Sequence, residues 1–486
     1  MKGEIMTSRN TLRRLLLSSA IAACVAAPVV PSGTITPAAS IAKPELVIGP
    51  AAILSSQLAS NPQALPEIQY GLFTCQVGLI PGVQCYDPYQ IRHAYGTDKL
   101  INAGWDGSGK TIVIIDAFQS PNIQSELSNF DAFYGLPDPN FQQIAPQGLT
   151  PFDPAYQQGD MIGWANEISL DVEWSHAIAP GANIVLVLAK SDQDADLYAA
   201  TKYAVDHHLG DVISQSFGEN ESCVDPHLLR LQHQMFAEAT QKHMTIFASA
   251  GDAGAAQVNC DQTAYVEAVS SPAVDPLVTA VGGTSLVAAD YTTQNPGAYE
   301  SESVWNEPDY GSGGGGLSVL YSKPFYQQGM VQGRQRGLPD VSYNAAVNNG
   351  VLTYLDVPGE TEAPYNWYLF GGTSAGSPQW SAITAIADEI NRADLGFINE
   401  ALYRIAHVPP FYAWSFHDIT VGNNAWATAG FSAAPAWDAA SGLGSPQAPA
   451  LVGLLIQFVR FGDGSSEIGQ SASTFNNNGH GHMRPH

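Results

Sequence analysis

Residues 371–380 read GGTSAGSPQW and place Ser374 on a tight, glycine-flanked turn. The residues before it, Trp367 to Phe370, are aromatic and apolar, as in a buried strand, and those after it, Ser377 to Ile390, repeat their apolar positions at helical spacing. A serine held where a strand runs into a helix has the setting of a nucleophile. The free N–H groups and the dipole of the helix start favour negative charge, so an alkoxide or oxyanion at Ser374 would be stabilised there. A surface turn of small residues is the plain alternative, and stretches elsewhere in the chain decide between the two.

A hydroxyl nucleophile needs a base. In a subtilisin-like enzyme that base is a histidine followed by glycine and a small residue on a helix, and none of His93, His176, His207, His208, His227, His233 and His243 has that setting. Residues 164–176, WANEISLDVEWSH, instead place Glu167 and Asp171 four apart on one predicted helix, one above the other on the same face. Two stacked carboxylates repel, mildly in water and strongly when buried, unless they share a proton; such a pair titrates as one unit. Taken alone, the pair reads equally well as a solvated acidic helix face. In residues 246–255, IFASAGDAGA, an apolar strand ends at Asp252, bracketed by glycines that allow close approach. A turn-forming Asp is the plain alternative here.

Together these three stretches resemble the sedolisins, the serine-carboxyl peptidases. The pattern of that family is Glu, three residues and Asp on one helix, an Asp within Ser-Ala-Gly-Asp, and a Ser within Gly-Thr-Ser-Ala. Further stretches are similar to the family: DPYQIRHAYG at 87–96, GKTIVIIDAF at 109–118, HAIAPGANI at 176–184, ISQSFG at 213–218, SPAVDPLVTAVGGTSL at 271–286 and RGLPDVSYNA at 336–345. The resemblance implies a subtilisin-like three-layer α/β domain with a largely parallel central sheet flanked by helices. It implies Ser374 as nucleophile, Glu167 as general base, Asp171 as its partner and Asp252 as oxyanion donor, acting on protein or peptide substrates, in a monomer. Expected strands include Thr111 to Ile115, Ile184 to Leu188, Val212 to Gln215 and Thr245 to Ser249, with the site loops at their ends.

A site of this kind works in acid. A carboxylate with an ordinary pKa near 4 is a weak base toward serine at neutral pH, whereas a coupled pair can serve at low pH. Asp252 donates to an oxyanion only while protonated, which requires acid or a raised pKa. An oxyanion donor is worth about 3–4 kcal/mol in serine peptidases.

Near the C-terminus, FHDITVGNN at 416–424 and AAPAWDAASGLGSP at 433–446 resemble the calcium site of the family. By that resemblance one structural Ca2+ takes the carboxylates of Asp418 and Asp438 and the carbonyls of Ile419, Ala434 and Ala436, an all-oxygen set. The family has glycines where Ala434 and Ala436 stand.

Composition agrees with a secreted globular protein. Of 486 residues 45% are hydrophobic, enough for a large core, and 19 Lys and Arg face 45 Asp and Glu, a formal charge of −26. That balance excludes phosphate neutralisation and hence nucleic-acid binding. At low pH the positive charge cannot exceed those 19 residues plus 12 His, which restrains self-repulsion. Arg9, Arg13 and Arg14 followed by LLLSSAIAACVAAPVV read as a signal peptide, assigned to residues 1–27. Cys24 could alternatively be the lipidated residue of a lipoprotein box; otherwise no membrane contact is expected. Cys75, Cys85, Cys223 and Cys260 then remain, and local pairing, 75 with 85 and 223 with 260, is preferred among three connectivities. Residues 28–85 read as a short N-terminal segment or linker, where sedolisins carry a long prodomain. The peptidase-like domain spans 86–461, and 462–486 has the composition of a disordered tail. Two rivals are an esterase of the α/β-hydrolase type, with Gly372 to Gly376 as its elbow and His407, His417 and Asp418 downstream, and a binding protein without turnover. The esterase leaves Glu167 and Asp252 unexplained.

Overall fold

A computed structural model of the chain describes residues 43–44, 47–50, 73, 75–76, 82–289, 297–360 and 366–462. The signal-peptide residues 1–27, Cys24 and the tail after Gly462 lie outside the described residues.

The apolar runs that lack polar alternation, such as Ile112 to Ile115, are the sequence mark of strands buried on both faces. They form an eight-stranded sheet: β1 (Thr111–Ala117), β2 (Phe141–Ile144), β3 (Asn183–Ala189), β4 (Val212–Gln215), β5 (Thr245–Ser249), β6 (Thr279–Ala288), β7 (Tyr299–Val304) and β8 (Val341–Asn344). The order is β7-β6-β5-β4-β1-β3-β2, with β8 joined to β6. Every pairing is parallel except β6 with β7. All four expected strands are present, with β1 and β3 extending slightly beyond the ranges read from sequence.

Strand alternation divides the side chains between two cores. Ile112 and Ile114 of β1 and Ile184, Leu186 and Leu188 of β3 face a core shared with α1 (Asp160–Ile178) and α4 (Gly376–Asn391). Val113, Ile115, Val185 and Val187 face the other core, built with α2 (Asp194–His207) and α3 (Pro226–Gln241). Sheet and helices thus form three layers. Because α1 is packed on nearly every side, residues 164–178 are all buried, and its polar side chains must be paired or neutral. At its far end His176 meets Asp131, Nε2 to Oδ1 3.2 Å, both buried.

On α4, Trp380 is fully buried and donates its indole N–H to Ser342 O at 3.0 Å. Both disulfides follow the local pairing, Cys75–Cys85 and Cys223–Cys260. Two short N-terminal strands join the fold: Lys43–Pro44 pairs antiparallel with Phe217–Asn220, and Val47–Pro50 with Trp367–Gly371. Among the described residues no helix is long and apolar enough to cross a membrane.

Candidate active site

Parallel strands deliver their loops to one edge, and the predicted residues meet there. Strand Trp367–Gly371 ends at Gly372, whose φ of +103° is open to glycine but strained for other residues, and one turn of 3-10 helix, Thr373–Ala375, carries Ser374 into α4. Ser374 Oγ lies 3.1 Å from Glu167 Oε2 and 3.3 Å from the carbonyl of Ser216, just past the end of β4. A hydroxyl has one proton, so these two acceptors compete for it.

Glu167 and Asp171 stand one turn apart on α1, with no exposed surface on either. Ser216 Oγ donates to Asp171 Oδ1 at 2.8 Å. Burial pushes Glu167 well above the usual carboxylate range, and the negative charges of Asp171 and Asp116 push it further, while the Ser374 hydroxyl pulls it back. Burial also lifts Asp171, opposed by hydrogen bonds from Ser216 and with Glu167. Two buried carboxyls one turn apart that act on each other's proton affinity titrate together rather than singly.

Asp252 follows β5. Thr373 N–H and Oγ–H both donate to its Oδ1, at 2.7 and 2.9 Å, and Gly251 N–H donates to Thr373 Oγ at 3.1 Å. The residue is half-buried overall but its carboxyl is enclosed, and that burial lifts it to about 7 against the pull of the two Thr373 bonds. With Oδ1 accepting twice, the carboxyl proton belongs on Oδ2. The loop is pressed close by Gly314, whose N–H donates to Gly251 O at 2.6 Å; a Cβ there would collide with the Ala250 carbonyl.

The structure therefore gathers Ser374, Glu167, Asp171 and Asp252 at one edge. The histidines of the esterase reading are engaged elsewhere: His407 Nε2 lies 3.1 Å from Gln328 O, and His417 stacks on Tyr299 with ring centroids 3.7 Å apart. Sequence reading assigned no role to Thr373, Ser216 or Asp116, although all three lie within stretches quoted above. The signal was a polar residue closing an apolar strand or beside Ser374; its partner was not visible.

Asp418 and Asp438 sit on loops that touch. Ala436 N–H donates to Asp418 Oδ1 and Oδ2 at 3.1 and 3.2 Å, while Ala434 N–H donates to Asp438 Oδ2 at 2.9 Å. Ala436 adopts φ +64°, the left-handed backbone that a glycine takes freely. Among the described residues no group of three or more His, Cys, Asp or Glu converges as for a metal ion, so a cation here would depend on carbonyl oxygens as well as these two carboxylates. Carboxylates and carbonyls are the hard oxygen donors calcium takes, and the residues fit it in donor type.

No protein-family model matches the chain. It is 33% identical to kumamolisin of Bacillus sp. (strain MN-32) over 373 residues, 74% of this chain and 62% of the relative. It is 33% identical to sedolisin of Pseudomonas sp. (strain 101) over 351 residues, 69% of this chain and 56% of that one. A solved structure of Pseudomonas sedolisin, a serine-carboxyl proteinase complexed with two molecules of pseudo-iodotyrostatin, superposes with a TM-score of 0.65 at 29% identity, over 78% of this chain and 99% of the other. The chain belongs to the sedolisin family. It spans about 62% and 56% of the lengths of the two curated relatives. As in any sedolisin-like α/β fold, the central sheet is mostly parallel and flanked by helices.

The raised Asp252 ties this sedolisin-family site to stability. Its folded pKa lies above the unfolded value, so the native state binds the proton more tightly. The resulting stabilisation is full below about pH 4 and is lost as pH rises through about 7. In Asp252→Asn that contribution cannot titrate. Melting temperature, followed by circular dichroism, should decline less steeply between these pH values in the variant than in the wild type; parallel declines would contradict the raised carboxyl.

Proposed function

We propose that this chain is a secreted, acid-active serine-carboxyl endopeptidase that hydrolyses peptide bonds of protein substrates through an acyl-enzyme on Ser374. The observation that carries the reading is the 3.1 Å contact of Ser374 Oγ with Glu167 Oε2, where histidine bases stand in other serine peptidases. Family membership supports peptidase activity, and the two disulfides support an oxidising compartment outside the cytosol.

In the proposed reaction Ser374 Oγ attacks the scissile carbonyl as its proton passes to Glu167 Oε2. Asp171, sharing a proton with Glu167, disperses the negative charge beforehand and orients the acceptor. The charge moves to the tetrahedral oxygen, where protonated Asp252 and the Ser374 backbone N–H donate to it. Collapse breaks the C–N bond, and Glu167 returns the proton to the leaving amine. Water then attacks the acyl-enzyme with Glu167 again taking a proton, which it gives back to Ser374 as the acid product leaves. Acid favours this cycle because Asp252 must keep its proton and the buried unit tolerates little charge.

Ser374 has no exposed surface, and the strands Lys43–Pro44 and Val47–Pro50 pair with the chain segments next to Ser216 and Ser374. An extended substrate would need access to the same ground. We read residues 28–85 as a segment ahead of the peptidase domain, 86–461, whose strands 43–50 are displaced before turnover.

Ca2+ is proposed for the Asp418 and Asp438 loops, with the carbonyls of Ile419, Ala434 and Ala436. Its chemistry there is structural, neutralising two carboxylates and tying the loops together.

Secreted wild type should hydrolyse an acid-denatured protein in acid and lose that activity toward neutral pH, and Ser374→Ala should be inactive throughout. Intact mass should show that the active species has released residues 43–50. Equal activity in both proteins, or activity confined to neutral pH, would contradict the reading, and an active species retaining those strands in place would contradict the displacement. Chelation with EDTA should lower the melting temperature of the wild type, with recovery on adding calcium, since a ligand at about 100 times its Kd stabilises by about 2.7 kcal/mol. An unchanged melting temperature would remove calcium from the account.

A further inference from the structure

The residues ahead of position 86 do not all behave alike. Strands Lys43–Pro44 and Val47–Pro50 pair with the segments beside Ser216 and Ser374. Phe73 and Cys75 belong instead to the main hydrophobic core, and Phe73 has no exposed surface. Its ring meets Trp367 edge to face with centroids 5.4 Å apart, and Phe133 at 5.9 Å. Trp367 opens the strand Trp367–Gly371, which leads into the turn of Ser374.

Several attachments hold Phe73 there. Cys75, two residues on, is bonded to Cys85. Phe73 N–H donates to Gln76 Oε1 at 3.0 Å, and Gln76 N–H donates back to Phe73 O at 3.0 Å. Gln76 Nε2 donates to Asp87 Oδ2 at 3.0 Å and to Gln90 Oε1 at 2.7 Å, the two residues of the capping box that starts the helix Pro88–Tyr95. Cys85 stands on strand Gln84–Tyr86, which pairs with Asn349–Tyr354, itself the partner of Trp367–Gly371. The disulfide thus links the ring on Trp367 to the strand two places across the same small sheet.

We propose that Phe73, Cys75 and Gln76 form a clasp that stays with the peptidase domain when strands 43–50 leave, and that Phe73 is a positioning residue that braces, through Trp367, the strand carrying Ser374. The domain then begins ahead of Phe73 rather than at residue 86. The consequence for turnover rests on the peptidase reading, whereas the clasp itself does not. A chain end frays unless something ties it down, and ordering a residue near one costs conformational entropy. The disulfide confines Phe73 in advance, so its ring can remain on Trp367 after the residues before it are gone. Trp367 also meets the rings of Phe130, Tyr134 and Tyr354. Losing Phe73 would leave a void on one side of that cluster, into which the strand can shift. A small misplacement of a nucleophile lowers the rate of the chemical step more than it weakens binding.

Phe73→Ala should lower kcat by about tenfold or more, with KM within about twofold of the wild type, and Phe73→Leu, which refills most of the space, should recover most of the loss. A wild-type kcat in Phe73→Ala, or a loss seen in KM alone, overturns the positioning role. The intact mass of the active species, taken without reductant, should account for the residues from Phe73 onward; an active species lacking Phe73 overturns the clasp. A further readout does not need activity. In the Ser374→Ala background, amide hydrogen exchange across residues 349–354 and 367–371 should quicken in Phe73→Ala and in the double variant Cys75→Ser with Cys85→Ser, and stay unchanged in Cys223→Ser with Cys260→Ser. Exchange across 367–371 that neither clasp variant moves overturns the proposal. If the wild type hydrolyses nothing in acid, the peptidase reading fails, and the exchange result alone decides the clasp.

Discussion

Water is kept from the carboxyls of Glu167 and Asp171 by the packing of α1 against the sheet and α4, and most of the site follows from that exclusion. Taking an ionised carboxylate out of water costs several kcal/mol unless a partner or proton compensates. Among the described residues no cation acts on either carboxyl, and burial raises both toward the protonated form. Buried one turn apart, the pair titrates together, and Glu167 Oε2 brings it within 3.1 Å of Ser374 Oγ. The same exclusion lifts Asp252, for which only the two Thr373 bonds pull the other way. The proposed reading draws on this one condition for both its base and its protonated donor.

The architecture serves that condition. Three layers cover both faces of the sheet, so the strand ends are the places where polar side chains can gather without breaking the cores. Ser216, Asp252 and Ser374 each follow a strand end, and Glu167 and Asp171 reach over them from α1. Glycine maintains the tolerances: Gly372 accepts a left-handed turn before Ser374, and Gly314 lets a second loop press on Gly251. A side chain at Gly314 would force the Asp252 loop outward and open its carboxyl to water.

Much of this was legible in the sequence because the signals were local. The turn around Ser374, the four-residue spacing of Glu167 and Asp171, and the glycines beside Asp252 each lie within a short stretch, and the unbroken apolar runs read as doubly buried strands. Cysteine spacing likewise favoured the pairings found. What stayed hidden depends on distant residues meeting. Thr373 gains a role only by touching Asp252, 121 positions away, and Ser216 only by touching Asp171. Phe73 looks like part of a linker until its ring meets Trp367. At Ala436 the sequence shows alanine in place of glycine, but the left-handed backbone that follows is a property of the loop.

The central claim is that Glu167, not a histidine, takes the proton of Ser374. Its most direct test is covalent capture of Ser374 by a peptide aldehyde, followed by intact mass in wild type and Glu167→Gln from acid to neutral pH. Capture in acid by the wild type, absent in Glu167→Gln with its fold intact by circular dichroism, is the predicted result. Equal capture in both proteins, or a capture rate that rises with a midpoint near the histidine value of about 6.5, would contradict it.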